Sequence, residues 1–341
     1  MHFEKILSTI DTHTAGGPTR IITSGIPPLH GSDVAAKMTF FKSNFDPIRN
    51  LLMREPRGHR DMSGAVLTSP TNPDADVAAF FITASGYLPA CVHSSIGIAV
   101  AGLSAGFIEA EKLQSTGRIN MEIPAGLISL KPIYEDKVLR SVGVQTAPAF
   151  VLAPNVEIQL GKLGSIQISI VFSGVFFALV DVGQLAKLKS GAQGALNAEN
   201  ANNYAMLAAE ILDMANRTCE ISHPDKPELL SVDFAMFYEQ RKDNFARNIV
   251  INVNGGIDRT PCGAGMGAKL ADLFSRGQLA SNDKYVLESF LGTQFSGRVL
   301  ETAKVGPFDA VVPQIEGIAH ITGMHQFVLD STDTLREGLI V

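Results

Sequence analysis

Cysteine is scarce in this chain: three among 341 residues, at positions 91, 219 and 262. Three do not make the disulfide framework of a secreted scaffold, so the expected compartment is reducing and the expected location cytoplasmic. Runs of basic charge are missing too. With 28 Lys+Arg against 34 Asp+Glu the net charge is −6, and no five basic side chains follow one another, which argues against a nucleic-acid partner. Long apolar runs are also absent. The most apolar segment, SIQISIVFSGVFFALVDV, is interrupted by Gln167, serines and Gly174 and alternates as strands and turns do, so no membrane span is expected. MHFEKILSTIDTH has no basic region leading into an apolar run, so no signal peptide is expected either. GGIDRTPCGAGMG is rich in glycine but lacks a Walker lysine and a G-x-G-x-x-G in a βαβ unit, which removes a phosphate cradle. No pyridoxal lysine motif is evident, and the C-x-H at Cys91 lacks the four ligands of a structural zinc site. Neither a cofactor nor a metal is expected.

What remains is an ordinary globular composition, 45% hydrophobic and 18% charged, of a length that favours two domains. KILSTIDTHT, TRIITSG and AAFFITASG read as strands. SDVAAKMTFFKSNFDPIRNLLMREP reads as a helix ending before Pro56, and SSIGIAVAGLSAGFI as a buried helix with no polar face. Strands return over residues 125–182. NAENANNYAMLAAEILDMANRT is an amphipathic helix preceded by asparagine caps. LLSVDFAMFYE and ARNIVINVNGG are strands, GAGMGAKLADLFSRG is a helix closing at Gly277, and the remainder is strand-rich.

One correspondence stands out. Cys91 precedes Gly106 by 15 positions, as Cys262 precedes Gly277, with serine at 104 and at 275. Each unit runs strand, turn, cysteine, helix, Ser-x-Gly, which suggests two related domains. A thiol at a helix N-terminus meets unpaired N–H groups and the positive end of the helix dipole, which favour thiolate; the same N–H groups bind carboxylates. Two such thiols facing one small acid would remove a proton from one face of a carbon and deliver one to the other. A buried inert cysteine, a Cys–His hydrolase dyad and a Cys91–Cys262 disulfide are the competing readings. Two residues of separation do not naturally set imidazole against sulfur, and a reducing compartment disfavours the disulfide.

The ordered set IDTHTAGGPTRII, LLMREPRGHRDMSGAV, GYLPACVHSSIG, SGVFFALVDV, DRTPCGAGMGAKLA and FLGTQFSG resembles the proline racemase family across nearly the whole chain. That family holds proline racemases, 4-hydroxyproline 2-epimerases and trans-3-hydroxy-L-proline dehydratases. The resemblance implies an α/β (α+β) fold similar to diaminopimelate epimerase. Two similar domains would each wrap strands around a central helix, with the active site in the cleft between them. The expected division is 1–158 and 159–330, with 331–341 returning to the first domain, and a homodimer is the expected assembly. By position, the resemblance implies that Cys91 and Cys262 are the acid/base thiols. Backbone amides at Val92, His93, Gly263 and Ala264 would hold the substrate carboxylate, with His93 and Asp258 near its nitrogen. His223 would reach a ring hydroxyl from the second domain, with a plain loop histidine as the competing reading. Asp258 has a plainer reading as a cap or as a partner of Arg259. His13, Arg20, Arg54, Arg57, His59, Arg60 and Asp61 are read as ion pairs buttressing strand ends, and Cys219 as a structural thiol.

Within the family, Cys at both positions resembles the racemases and epimerases; the dehydratases replace one with Ser or Thr. The expected activity is therefore cofactor-independent inversion at Cα of proline or 4-hydroxyproline. Dehydration of trans-3-hydroxy-L-proline and a catalytically weak imino-acid binder are the alternatives. The chain departs from the family at Val92, Ser94 and Ser95 (usually Gly, Gly, Thr), at Ala264 and Met266 (usually Thr), and at Phe177 (more often Tyr).

Overall fold

A computed structural model of the chain describes residues 3–161, 164–187 and 194–339; residues 340 and 341 of the expected returning segment and residues 1 and 2 of the expected first domain lie outside these, as do 162, 163 and 188–193 of the second. The chain forms two compact units, Met1–Val144 with Gly317–Val341, and Gln145–Glu316. The first unit begins with β1 (Phe3–Thr14), β2 (Gly17–Ser24), α1 (Val34–Met53), β3 (Ser63–Thr68), β4 (Val77–Thr83) and β5 (Tyr87–Leu88). It continues through α2 (Val92–Ala105), α3 (Ala110–Thr116), β6 (Ile119–Ile123), β7 (Gly126–Glu135) and β8 (Val138–Gln145). The second holds β9 (Ala149–Leu160), β10 (Gly164–Phe172), β11 (Phe176–Asp181), α4 (Ala201–Thr218), β12 (Val232–Lys242) and β13 (Phe245–Asn252). After these come β14 (Ile257–Asp258), α5 (Gly263–Ser275), β15 (Tyr285–Ser289), β16 (Gln294–Val305) and β17 (Phe308–Gly317). β18 (Ala319–Asp330) then pairs antiparallel with β1 and belongs to the first unit.

In the first unit the sheet runs β18, β1, β2, β3, β4, β6, β7, β8, with β2–β3 and β4–β6 parallel. Its inner strands are apolar without alternation because both faces are covered. Along β4, Val77, Ala79 and Phe81 pack with α2, while Ala78, Phe80 and Ile82 pack with α1. Ile21 and Ile22, and Ala65 and Val66, divide in the same way. α1 starts where the Asp33 carboxylate accepts from Ala36 N–H at 2.7 Å and stops at Met53, ahead of Pro56. Pro47 lies within it. Val34, Phe41, Ile48 and Leu52 keep the spacing of one buried face, each worth about 1.5–3 kcal/mol of burial. α2 has no polar face, as expected, since Ser94 through Gly102 are all buried. A Cβ added at Gly97 would lie 2.6 Å from Thr12 Oγ1, so the helix lies directly on β1 because glycine is there.

In the second unit the strands pair in the order β9, β10, β11, β12, β13, β15, β16, β17. β17 returns to β9 through Ala310 opposite Phe150 and Val311 opposite Ala149, closing a ring. α4 lies on its outside, packing Tyr204, Leu207, Ala208, Ile211 and Leu212 against Ala235, Phe237, Ile249 and Ile251. α5 is the helix within. Met236 lies 3.3 Å from a notional Cβ at Gly265, Ser173 and Pro313 flank Gly267, and Met266 and Leu270 abut Gly297. Each unit thus wraps strands around one apolar helix. Among the described residues no helix is long and apolar enough to cross a membrane.

Candidate active site

In the first unit a two-residue strand, β5, leads into the turn before α2, and Cys91 is the N-cap residue with an extended backbone (φ −154°, ψ 110°). Its Sγ lies 3.4 Å from Nδ1 and 3.8 Å from Nε2 of His93, and the thiol donates to the Ser94 hydroxyl oxygen at 3.2 Å. The sequence spacing argued against this contact. The extended N-cap backbone supplies it, because the chain reverses into the helix just where the two side chains leave it. Burial pushes the Cys91 thiol up, but the charge of His93 and hydrogen bonds with His93, the Ser94 hydroxyl and the Ser94 backbone outweigh it. The net result is a thiol below its ordinary range. The loop is pinned from below: Thr14 Oγ1 donates to His93 O at 2.8 Å, Ser94 Oγ and Thr19 Oγ1 lie 3.1 Å apart, and Ser95 donates to Cys91 O. Ser94 and Ser95, where the family usually has Gly and Thr, therefore bond the sulfur and the N-cap carbonyl. Val92 packs its side chain onto the core around α2. The N–H groups of Val92 and His93 belong to the first turn, where a helix supplies no acceptor.

In the second unit another two-residue strand, β14, leads to Cys262, the N-cap of α5. This cysteine is buried, and its Sγ accepts from Gly265 N–H at 3.3 Å. Its backbone is at φ 66°, ψ 112°, a conformation that L-residues rarely adopt and that costs on the order of 1–3 kcal/mol. The preceding turn holds it there. Asp258 Oδ1 accepts from both Thr260 N–H (2.8 Å) and Thr260 Oγ1 (2.9 Å), Cys262 N–H donates to Thr260 Oγ1 at 2.9 Å, and Asn248 donates to Pro261 O at 2.7 Å. Asp258 thus shapes the entry to the helix with one oxygen; the other takes part in neither bond. Gly263 and Ala264 follow as the first two helical residues, and Met266 in a threonine position of the family fills the space opposite Gly297.

The remaining sequence candidates sort by environment. The His223 ring packs against Phe150 and Phe172, at 5.5 and 4.3 Å between centroids, and its Nδ1 accepts from Asp225 N–H. Burial, then the Lys226 charge, holds it below the usual histidine range. None of these contacts reaches the Cys262 loop. Arg20 forms a buried pair with Asp11 at 2.8 Å and donates to Leu52 O and Arg57 O, while Arg57 bonds Asp333. Both are buttresses, as read. Cys219 ends α4, and burial pushes its thiol up. Phe177 is fully buried beside Phe234, with ring centroids 5.3 Å apart. Among the described residues no three His, Cys, Asp or Glu side chains group as metal ligands would.

Two units of mixed α/β structure, each starting its central helix with a cysteine, define the class of scaffold. The family described as proline racemase matches residues 9–340, and the chain belongs to the proline racemase family. A proline racemase from Acetoanaerobium sticklandii is 39% identical over 345 residues, covering 100% of both chains. A 4-hydroxyproline 2-epimerase from Streptosporangium roseum is 33% identical over 344 residues, also covering 100% of both. The crystal structure of a hydroxyproline epimerase from Agrobacterium vitis with bound trans-4-hydroxy-L-proline is similar with a TM-score of 0.86 at 27% identity, covering 100% of this chain and 97% of that one.

Proposed function

We propose that the chain is a cofactor-independent amino-acid isomerase inverting Cα of proline or 4-hydroxyproline, with Cys91 and Cys262 as its two acid/base thiols. The observation that carries this reading is the position the two sulfurs share, each at the N-cap of the central helix of its unit. His93 and Ser94 stabilise the thiolate of Cys91, which suits it to act as the base. It takes the Cα proton from one enantiomer while the Cys262 thiol protonates the opposite face, and the roles exchange for the other enantiomer. Carbanion charge spreads onto the substrate carboxylate, where first-turn N–H groups of Val92 and His93 and of Gly263 and Ala264 would meet it. The Asp258 oxygen not engaged by Thr260 would accept from the substrate nitrogen. Ala264 in place of Thr makes the carboxylate site more apolar, which strengthens each of these hydrogen bonds.

The test is Cα–H exchange in D2O with L-proline and with trans-4-hydroxy-L-proline, followed by NMR and optical rotation. Cys91→Ser and Cys262→Ser should each lower inversion by about 10³-fold or more. Inversion retained in either variant would sink the two-thiol mechanism. Ketimine formed from trans-3-hydroxy-L-proline without inversion of proline would replace the isomerase by a lyase.

A further inference from the structure

The second unit contains a cavity of about 600 Å³ toward the C-terminal end of α5, lined by that helix and by β9 to β12, with no residue from the Cys262 loop. Its size is that of a small-molecule site. Lys269 lines it and is 2% exposed. The ammonium sits 3.5 Å above the Tyr238 ring, and its ion pair with Asp272 Oδ2 stands at 3.9 Å, too long for a hydrogen bond. Asp272 Oδ1 is taken by Arg276 Nε at 2.9 Å, and Arg276 Nη2 is in turn held by Asn155 and Ser169. Among the described residues no oxygen accepts a hydrogen bond from Lys269. Burial of an ammonium in this state is costly, and burial brings its pKa down to about 8. A carboxylate entering the cavity would supply the missing acceptor. The same cavity is lined by Asp181 and Asp243, which disfavour a plain anion and suit a ligand bearing a positive charge as well.

We propose that this cavity is a second ligand site, taking a small zwitterionic amino or imino acid with its carboxylate on Lys269 Nζ and its cationic nitrogen toward Asp181. The site is separate from the cysteines and does not depend on their assignment. Calorimetric titration of the Cys91→Ala/Cys262→Ala protein with the twenty amino acids, 4-hydroxyproline, acetate and propylamine tests it. Saturable binding of at least one zwitterion is expected, weakened about tenfold or more by Lys269→Met, the loss that follows removal of one charge-assisted hydrogen bond. Asp181→Asn should weaken it as well, and reads the same question if Lys269→Met fails to fold. Acetate or propylamine binding as tightly as the best zwitterion would overturn the ligand class. Absence of any binding, or binding indifferent to both substitutions, would overturn the site.

Discussion

Gly97→Ala tests how closely the fold ties Cys91 to the strand beneath it. The added Cβ would lie 2.6 Å from Thr12 Oγ1, while its next neighbours, Thr19 Cβ and Oγ1, are at ordinary contact distances of 3.6 and 3.7 Å. One atom therefore makes the conflict. Relieving it takes about 0.8 Å of movement, to reach the ~3.4 Å of an ordinary contact, and overpacking of this kind costs about 1–3 kcal/mol. Against that, alanine is better than glycine inside a helix by about 1 kcal/mol. The net expectation is a loss of up to about 2 kcal/mol. Removing the hydroxyl with Thr12→Ala abolishes the conflict and keeps the propensity gain, so in that background Gly97→Ala should stabilise by about 1 kcal/mol. Urea unfolding of the four proteins reads the double-mutant cycle. Cα–H exchange reads the consequence for the proposed role of Cys91, because a displacement near 1 Å of a catalytic group costs about 10²-fold. A Gly97→Ala substitution with the same effect on stability with and without the Thr12 hydroxyl would refute the direct seating of α2 on β1.

Replacing His93 by Gln removes the charge that favours the Cys91 thiolate, so the pH midpoint of Cys91 alkylation should rise and its alkylation rate at neutral pH should fall; an unmoved midpoint would detach the thiol from the imidazole. The sign for stability follows from the depressed folded pKa of Cys91. Its contribution is present above the unfolded thiol value and is lost as pH falls through the folded one, so in wild type relative to His93→Gln the advantage should grow with rising pH across that window. At Cys262 the positive φ makes glycine the less strained residue. Cys262→Gly should be more stable than Cys262→Ala by about 1 kcal/mol in urea melts, the reverse of the usual order.

Both cysteine-headed helices were legible because their signal is local: small apolar residues after a turn, ending at Gly106 and Gly277. The doubly buried strand β4 was legible for the same reason, since VAAFFIT needs no partner to read as a strand. What the sequence hid depends on backbone direction and on distant elements. The Cys91–His93 contact follows from an extended N-cap, and the positive φ of Cys262 from a turn built by Asp258, Thr260 and Asn248, which no spacing encodes. The packing of His223 was hidden because Phe150 and Phe172, its neighbours in space, lie more than fifty positions away in the chain. Lys269 passed unnoticed because one lysine among small and apolar helical residues carries no signal of its own, and only the closed ring of strands makes it an interior charge.

The return of β18 to the first unit has a consequence in time. A chain emerging from the ribosome delivers β1 first, yet its antiparallel partner over Phe3–Thr14 is the last long strand made. Residues 145–316 form the intervening unit, and at about 5–20 residues per second they take roughly 9–34 s to appear. Through that interval the second unit can complete its ring while the first waits with one edge of β1 unpaired. The cysteine made first would thus acquire its finished surroundings last.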